Sequence, residues 1–157
     1  MMISELPEHA LLQRYHAQGD YTDCFAIDVP QSVSHAAFVE AFYTTAVFKL
    51  ERALLSLLVS RPSRDAEARE LAAGQREQFS AWSVEARAPG QLLMCDFAGS
   101  TRSWLMAVEQ GQGTRLYFGS AVVRKRQGGA FRALQGFHKL YSRILLRAAA
   151  SRALRAG

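Results

Sequence analysis

The order of apolar periods along the chain predicts an α+β fold, an antiparallel β-sheet wrapped around one long C-terminal α-helix. Three observations predict it. Tyr21 to Val29 alternates apolar and small or polar residues with period two. Four further strand-like runs between Phe79 and Arg124 are separated only by short turns. From Phe131 onward the chain has nothing that stops a helix, Gly136 being the one weak point. Period two marks a strand with a buried face, and spacings of three and four mark a helix with an apolar stripe.

Taken in order, residues 1–19 form an N-terminal extension with helical character around Leu11 to His16, closed by Gly19-Asp20. In the first strand the odd positions Tyr21, Phe25, Ile27 and Val29 are the apolar ones, and Pro30 ends it because proline cannot continue the ladder. Ser32 or Ser34 can cap the next helix, where Phe38, Phe42, Val47, Leu50, Leu54, Leu57 and Leu58 predict one long core-facing helix over Ala36 to Val59. Arg61-Pro62-Ser63 stops it, Ser63 caps a second helix over Arg64 to Ala73, and Gly74 closes that. Two helices are thus inserted after the first strand.

Turns at Ala88-Pro89-Gly90, Ala98-Gly99-Ser100-Thr101 and Gly111-Gln112-Gly113 delimit strands over Phe79 to Arg87, Gln91 to Phe97, Ser103 to Glu109 and Arg115 to Arg124. Gln127-Gly128-Gly129 precedes the last helix, which occupies residues 131–155. At 157 residues the chain suits a single domain, residues 1–157, with no repeat or linker to divide it.

Composition excludes several classes. With 49% apolar and 21% charged residues the chain is ordinary for a globular protein, and its longest apolar stretches are interrupted by Lys49, Glu51, Arg52, Arg143 and Arg147, so no membrane span is expected. The acidic start Met-Met-Ile-Ser-Glu-Leu-Pro-Glu is unlike a secretory signal, and a cytoplasmic location is expected. Cys24 and Cys95 stand far apart without Cys or His at ligand spacing, which predicts two small buried thiols and no metal site. There is no Gly-x-Ser-x-Gly elbow, P-loop, His-Glu-x-x-His or dinucleotide fingerprint, so no cofactor is expected. The charge is segregated: all 14 acidic residues lie at or before Glu109, and ten of the 19 basic residues follow it.

Centring the hairpins on their turns pairs Trp82 with Asp96, Val84 with Met94, Met94 with Met106, Asp96 with Trp104 and Met106 with Phe118. All are even-numbered. The even face (Trp82, Val84, Ala86; Leu92, Met94, Asp96; Trp104, Met106, Val108; Leu116, Phe118, Ser120, Val122) is the more apolar, which assigns it to the interior under the last helix. A one-residue slip would invert the set and bury Glu85 and Glu109. The helix offers a stripe at Phe131, Leu134, His138, Tyr141, Leu145 and Ala148 and a second row at Phe137, Leu140 and Ile144.

The stretches Phe79-Ser80-Ala81-Trp82, Cys95-Asp96-Phe97, Thr101-Arg102-Ser103-Trp104-Leu105 and Gly136-Phe137-His138-Lys139-Leu140-Tyr141 resemble bacterial members of the START-like (SRPBCC) helix-grip superfamily, which includes polyketide cyclases, lipid-transfer domains and plant pollen allergens. The similarity runs over nearly the whole chain from Tyr21. The resemblance implies a curved sheet gripping the last helix around a cavity that takes a hydrophobic small molecule. Five strands are counted where that superfamily usually has seven, and the first helix is longer than usual.

Three functional readings follow. The first is a binding module for a small hydrophobic ligand, lined by Trp82, Met94, Asp96, Trp104, Met106, Phe118, His138 and Tyr141, since Trp and Met line adaptable apolar cavities as well as ordinary cores. The second is a cyclase- or dehydratase-like enzyme in which Asp96, set between two indoles, pairs with His138 as an acid-base couple beside Tyr141. A routine structural pairing of Asp96, with an indole N–H or with Arg102, outweighs it, and the balance is against an enzyme. Arg102, Arg124 and Asp23 share the inward parity near strand ends, whereas His9, His16 and His35 sit in segments that look exposed. The third is an interaction protein whose cationic row, Arg132, Lys139, Arg143 and Arg147, docks on an acidic partner or a membrane surface. Against it, the apolar row beside it is needed to cover the sheet. Nucleic acid is not an expected partner, and the sequence leaves the oligomeric state open.

Overall fold

The computed structural model describes residues 2–49, 64–123 and 131–156, with the side chains of 131–140 and 156 outside the description. Seven antiparallel strands form one sheet: β1 (Met2–Ile3), β2 (Tyr21–Val29), β3 (Gln78–Phe79), β4 (Trp82–Ala88), β5 (Gln91–Asp96), β6 (Thr101–Gln110) and β7 (Gly113–Val122), in the order β1-β2-β7-β6-β5-β4-β3. The helices are α1 (Gln13–Ala17), α2 (His35–Tyr43), α3 (Asp65–Ala72) and α4 (Phe131–Ala156).

The five expected strands are present, and two were missed. β1 and β3 are two residues each, too short to show a period, and Ser80 in the left-handed region (φ 53°) splits β3 from β4. The long helix expected over Ala36 to Val59 is interrupted. Thr44 Oγ1 donates to Glu40 O (2.7 Å) and Thr45 Oγ1 to Phe42 O (3.0 Å), closing α2, and the same Thr45 oxygen accepts Phe48 N (3.2 Å) as the chain turns helical again over 46–49. Threonine hydroxyls compete with the helix ladder in this way. Ser34 is the α2 cap, accepting Ala37 N at 3.1 Å. Residues 50–63, including the Arg61-Pro62-Ser63 stop, and Arg124 to Ala130, including Gln127-Gly128-Gly129, lie outside the described residues.

Register decides which side chains share a face. Across β4 and β5 the expected pairs Trp82 with Asp96 and Val84 with Met94 are observed, but a bulge at Glu85 then pairs Ala86 with Leu93. Across β5 and β6 the pairing is Leu92 with Leu105 and Met94 with Ser103, and across β6 and β7 it is Leu105 with Phe118 and Trp104 with Gly119. Against the expected pairs, Met94 meets Ser103 instead of Met106, a shift of three residues, and Met106 meets Tyr117 instead of Phe118, a shift of one. Asp96 O accepts Gly99 N (3.0 Å), and Asp96 Oδ1 accepts Ser100 N (2.7 Å) and Thr101 N (3.1 Å), moving the first turn toward its N-terminal side. The second turn is a two-residue loop, Gly111-Gln112, with Gly111 at φ 60°. Both shifts are odd, so the face is inverted at β6 and restored at β7, while Ala86 changes side locally at the bulge.

The sheet is therefore buried on both faces. One, the helix face, sets Phe25, Leu92, Met94, Leu105, Leu116 and Phe118 against α2, α3 and α4. The other packs Cys24, Ala26, Leu93, Trp104, Met106, Tyr117 and Ala121 against Ala10, Leu12 and Tyr15 of the N-terminal segment. Trp104 and Met106, expected under the last helix, are on this second face, as is Val108. Side-chain parity selects a face only where one side of a strand is apolar, whereas β6 has apolar residues on both.

α4 covers the sheet with a face rotated from the expected stripe. Ser142, Leu145, Leu146, Ala149, Ala150 and Ala153 are buried, Tyr141 is half-buried against the core, and Ile144 is exposed. Among the described residues no helix is long and apolar enough to cross a membrane.

Candidate functional site

On the helix face one rung of side chains crosses five strands as Asp23, Ser120, Ser103, Met94 and Val84. Its neighbour toward the sheet centre is apolar throughout: Phe25, Phe118, Leu105 and Leu92. The rung on its other side includes Tyr21 and Val122. The helix face is thus an apolar wall with a polar band across one end.

Asp23 Oδ1 accepts both Ser120 N (3.1 Å) and Ser120 Oγ (2.6 Å), which fixes the carboxylate across the β2–β7 pair. Burial and the neighbouring Asp23 carboxylate push the Tyr21 hydroxyl up to about 12, so it stays protonated and acts as a donor at neutral pH. Ser103 and Ser120 are buried, and so is Ser142 on α4, whose hydroxyl has no hydrogen-bond partner among the described residues. Hydroxyls and one carboxylate set in an apolar wall can orient a polar group on an otherwise hydrophobic molecule. Asp23 thus meets Ser120, while Arg102, which shares its parity in the sequence, is held by Tyr15 and Glu85 on the other face.

The residues expected to line the interior are divided. Trp82, Met94 and Phe118 belong to the helix face, and Tyr141 packs against the same core. Trp104 and Met106, expected beside them, lie instead on the opposite face, where Trp104 Nε1 donates to Gln91 Oε1 (3.0 Å). Asp96 is half-buried at the end of β5 with its carboxylate given to the turn, and only Trp82 of the two indoles is its cross-strand partner. The setting between two indoles that motivated an acid-base couple is absent. The His138 side chain lies outside the described residues. His35, read from sequence as exposed, is partly buried, and that burial lowers its pKa.

A second polar cluster lies on the N-terminal face, and sequence reasoning did not anticipate it. The Tyr15 hydroxyl donates to Glu85, Arg102 Nε is 2.8 Å from the Tyr15 oxygen and ion-pairs with Glu85, and Arg14 lies 3.7 Å from the same carboxylate. The guanidinium of Arg102 also sits 4.9 Å from the Tyr15 ring centre. Burial and the Glu85 acceptor push the Tyr15 hydroxyl up. Glu85 reaches this face from the bulge and Tyr15 from α1, so the cluster fastens the N-terminal segment to the sheet. An open groove of about 520 Å³, lined by none of these residues, runs between residues 3–6 and β2, with His16 Nδ1 3.0 Å from Thr22 Oγ1 on its wall.

No group of three His, Cys, Asp or Glu able to hold a metal occurs among the described residues. Cys24 is buried and its thiol is pushed up to about 12, and the half-buried Cys95 thiol is also raised by burial. Neither thiol is disposed to ionise at neutral pH. Neither the family models nor the curated proteins compared with this chain match it.

Proposed function

We propose that the protein is a START-like, helix-grip binding module that takes a small hydrophobic molecule between the helix face of the sheet and α4. The observation that carries this reading is the Asp23-Ser120-Ser103 rung, a band of hydrogen-bonding groups across an apolar wall. A purely structural core has no need of three adjacent polar side chains on its sheet floor. The position of the band suggests a ligand with an apolar body against Phe118, Met94 and Trp82 and a hydroxyl or carbonyl end toward Ser103 and Ser120. The order of elements supports the superfamily reading: helices inserted between β2 and β3, a run of antiparallel hairpins and a terminal helix.

The two tryptophans lie on opposite faces, which makes the test internally controlled. Titration with fatty acids and aromatic polyketides is expected to change Trp82 emission and leave Trp104 silent. The signal should persist in Trp104→Phe and vanish in Trp82→Phe. An unchanged spectrum in the parent, together with native mass spectra free of any retained ligand, would overturn the reading.

A further inference from the structure

Helix α4 has two working sides, and only one of them is occupied by the fold. Ser142, Leu145, Leu146, Ala149, Ala150 and Ala153 face the core. Arg143, Ile144, Arg147, Ser151 and Arg155 are exposed. At 1.5 Å per residue the three arginines extend over roughly 18 Å of helix. Residues 131–156 contain six basic side chains and no acidic one. Elsewhere Arg69, Arg76, Arg102 and Arg115 are each held by a carboxylate, but among the described residues Arg143, Arg147 and Arg155 enter no ion pair.

A solvated cationic face alone would carry no conclusion, because exposed charge is the ordinary state of a helix surface. Ile144 changes the reading. It is 45% exposed, one of few large apolar side chains so placed, and it stands between Arg143 and Arg147. From the sequence, the apolar row Phe137, Leu140, Ile144 beside the cationic one is expected to cover the sheet. At Ile144, its described member, that row is not used. Guanidinium groups flanking an outward aliphatic side chain suit an interface whose outer layer is anionic and whose next layer is hydrocarbon. A nucleic acid would satisfy the arginines but would give Ile144 nothing to enter.

We propose that the exposed side of α4 docks on an anionic lipid membrane, with Arg143, Arg147 and Arg155 at the phosphate layer and Ile144 inserted below it. The proposal is independent of the interior ligand. Co-sedimentation of the full chain with phosphatidylglycerol-containing vesicles tests it against pure phosphatidylcholine vesicles at low salt. Binding is expected only to the anionic vesicles, falling as salt rises. Arg143→Gln and Arg147→Gln should each weaken it roughly fivefold. Ile144→Ser, at an exposed position that leaves the circular dichroism unchanged, should weaken it severalfold as well. No binding to anionic vesicles, binding that Ile144→Ser leaves intact, or transfer of the protein to duplex DNA when both are offered would each overturn the proposal.

Discussion

Gln91 joins three partners that nothing else in the described structure satisfies together. It is buried, accepts Leu11 N (2.9 Å) and Trp104 Nε1 (3.0 Å) on one oxygen, and donates to His9 O at 3.1 Å. Gln91→Ala leaves two donors and a carbonyl without partners, and a loss of about 3 kcal/mol in urea unfolding is expected. Gln91→Glu keeps the acceptor but loses the donor and brings a charge, so it should not rescue. At His35, burial lowers the pKa from its usual 6.5, opposed by a backbone hydrogen bond to Leu105 and aided by the Arg87 charge. The unfolded chain therefore takes up a proton first as pH falls. Stability attributable to this residue is intact above about pH 6.5 and declines below it. Unfolding midpoints measured from pH 7.5 to 5 should show the decline, and His35→Gln should flatten it.

At the scale of elements, the β5–β6 hairpin rests on Asp96. Asp96→Ala removes two backbone-directed hydrogen bonds and is expected to cost about 1–2 kcal/mol, while Asp96→Asn, which can still accept them, should cost less than half as much. A catalytic carboxylate would show the opposite pattern, with activity lost in both variants and stability lost in neither. The element boundaries were largely legible. β2 occupies the predicted Tyr21 to Val29, and α4 starts at the predicted Phe131, because strict alternation and an uninterrupted helical stretch are strong local signals. Side assignment was legible for β2, β5 and β7 and illegible for β6. Trp104, Met106 and Val108 are as apolar as Leu105 and Ala107 opposite them, so composition could not choose between two covered faces. That is also why the Asp23-Ser120-Ser103 rung escaped notice. Ser103 joins its neighbours only when β6 is inverted, and a register set by an aspartate-capped turn is not written in hydrophobic alternation. The Trp82, Met94 and Phe118 part of the wall needed no such information.

At the scale of the molecule, the N-terminal segment is a structural layer. It buries Trp104 completely and secures itself through Gln91 and the Tyr15-Glu85-Arg102 cluster. Deleting residues 1–19 is expected to leave Leu93, Trp104, Met106 and Tyr117 facing water. The measurable outcome is a red-shifted Trp104 emission and strong binding of a hydrophobic dye; a truncated chain with the parent's emission and no dye binding would show the layer to be dispensable. The pairing of β2 with β7, seen earlier only as a matter of sheet order, also sets a schedule for synthesis. Tyr21 meets Val122 and Val29 meets Thr114, so β2 has no long partner until nearly the whole sheet has been made. Translation at roughly 5–20 residues per second delivers β7 some 5–20 s after β2 leaves the ribosome. Through that interval a half-apolar strand waits with one edge open and the other met only at Phe25 and Ala26 by the two-residue β1. Asp23 and Asp28, the two charges within it, are suited to keep neighbouring nascent chains from pairing with it first.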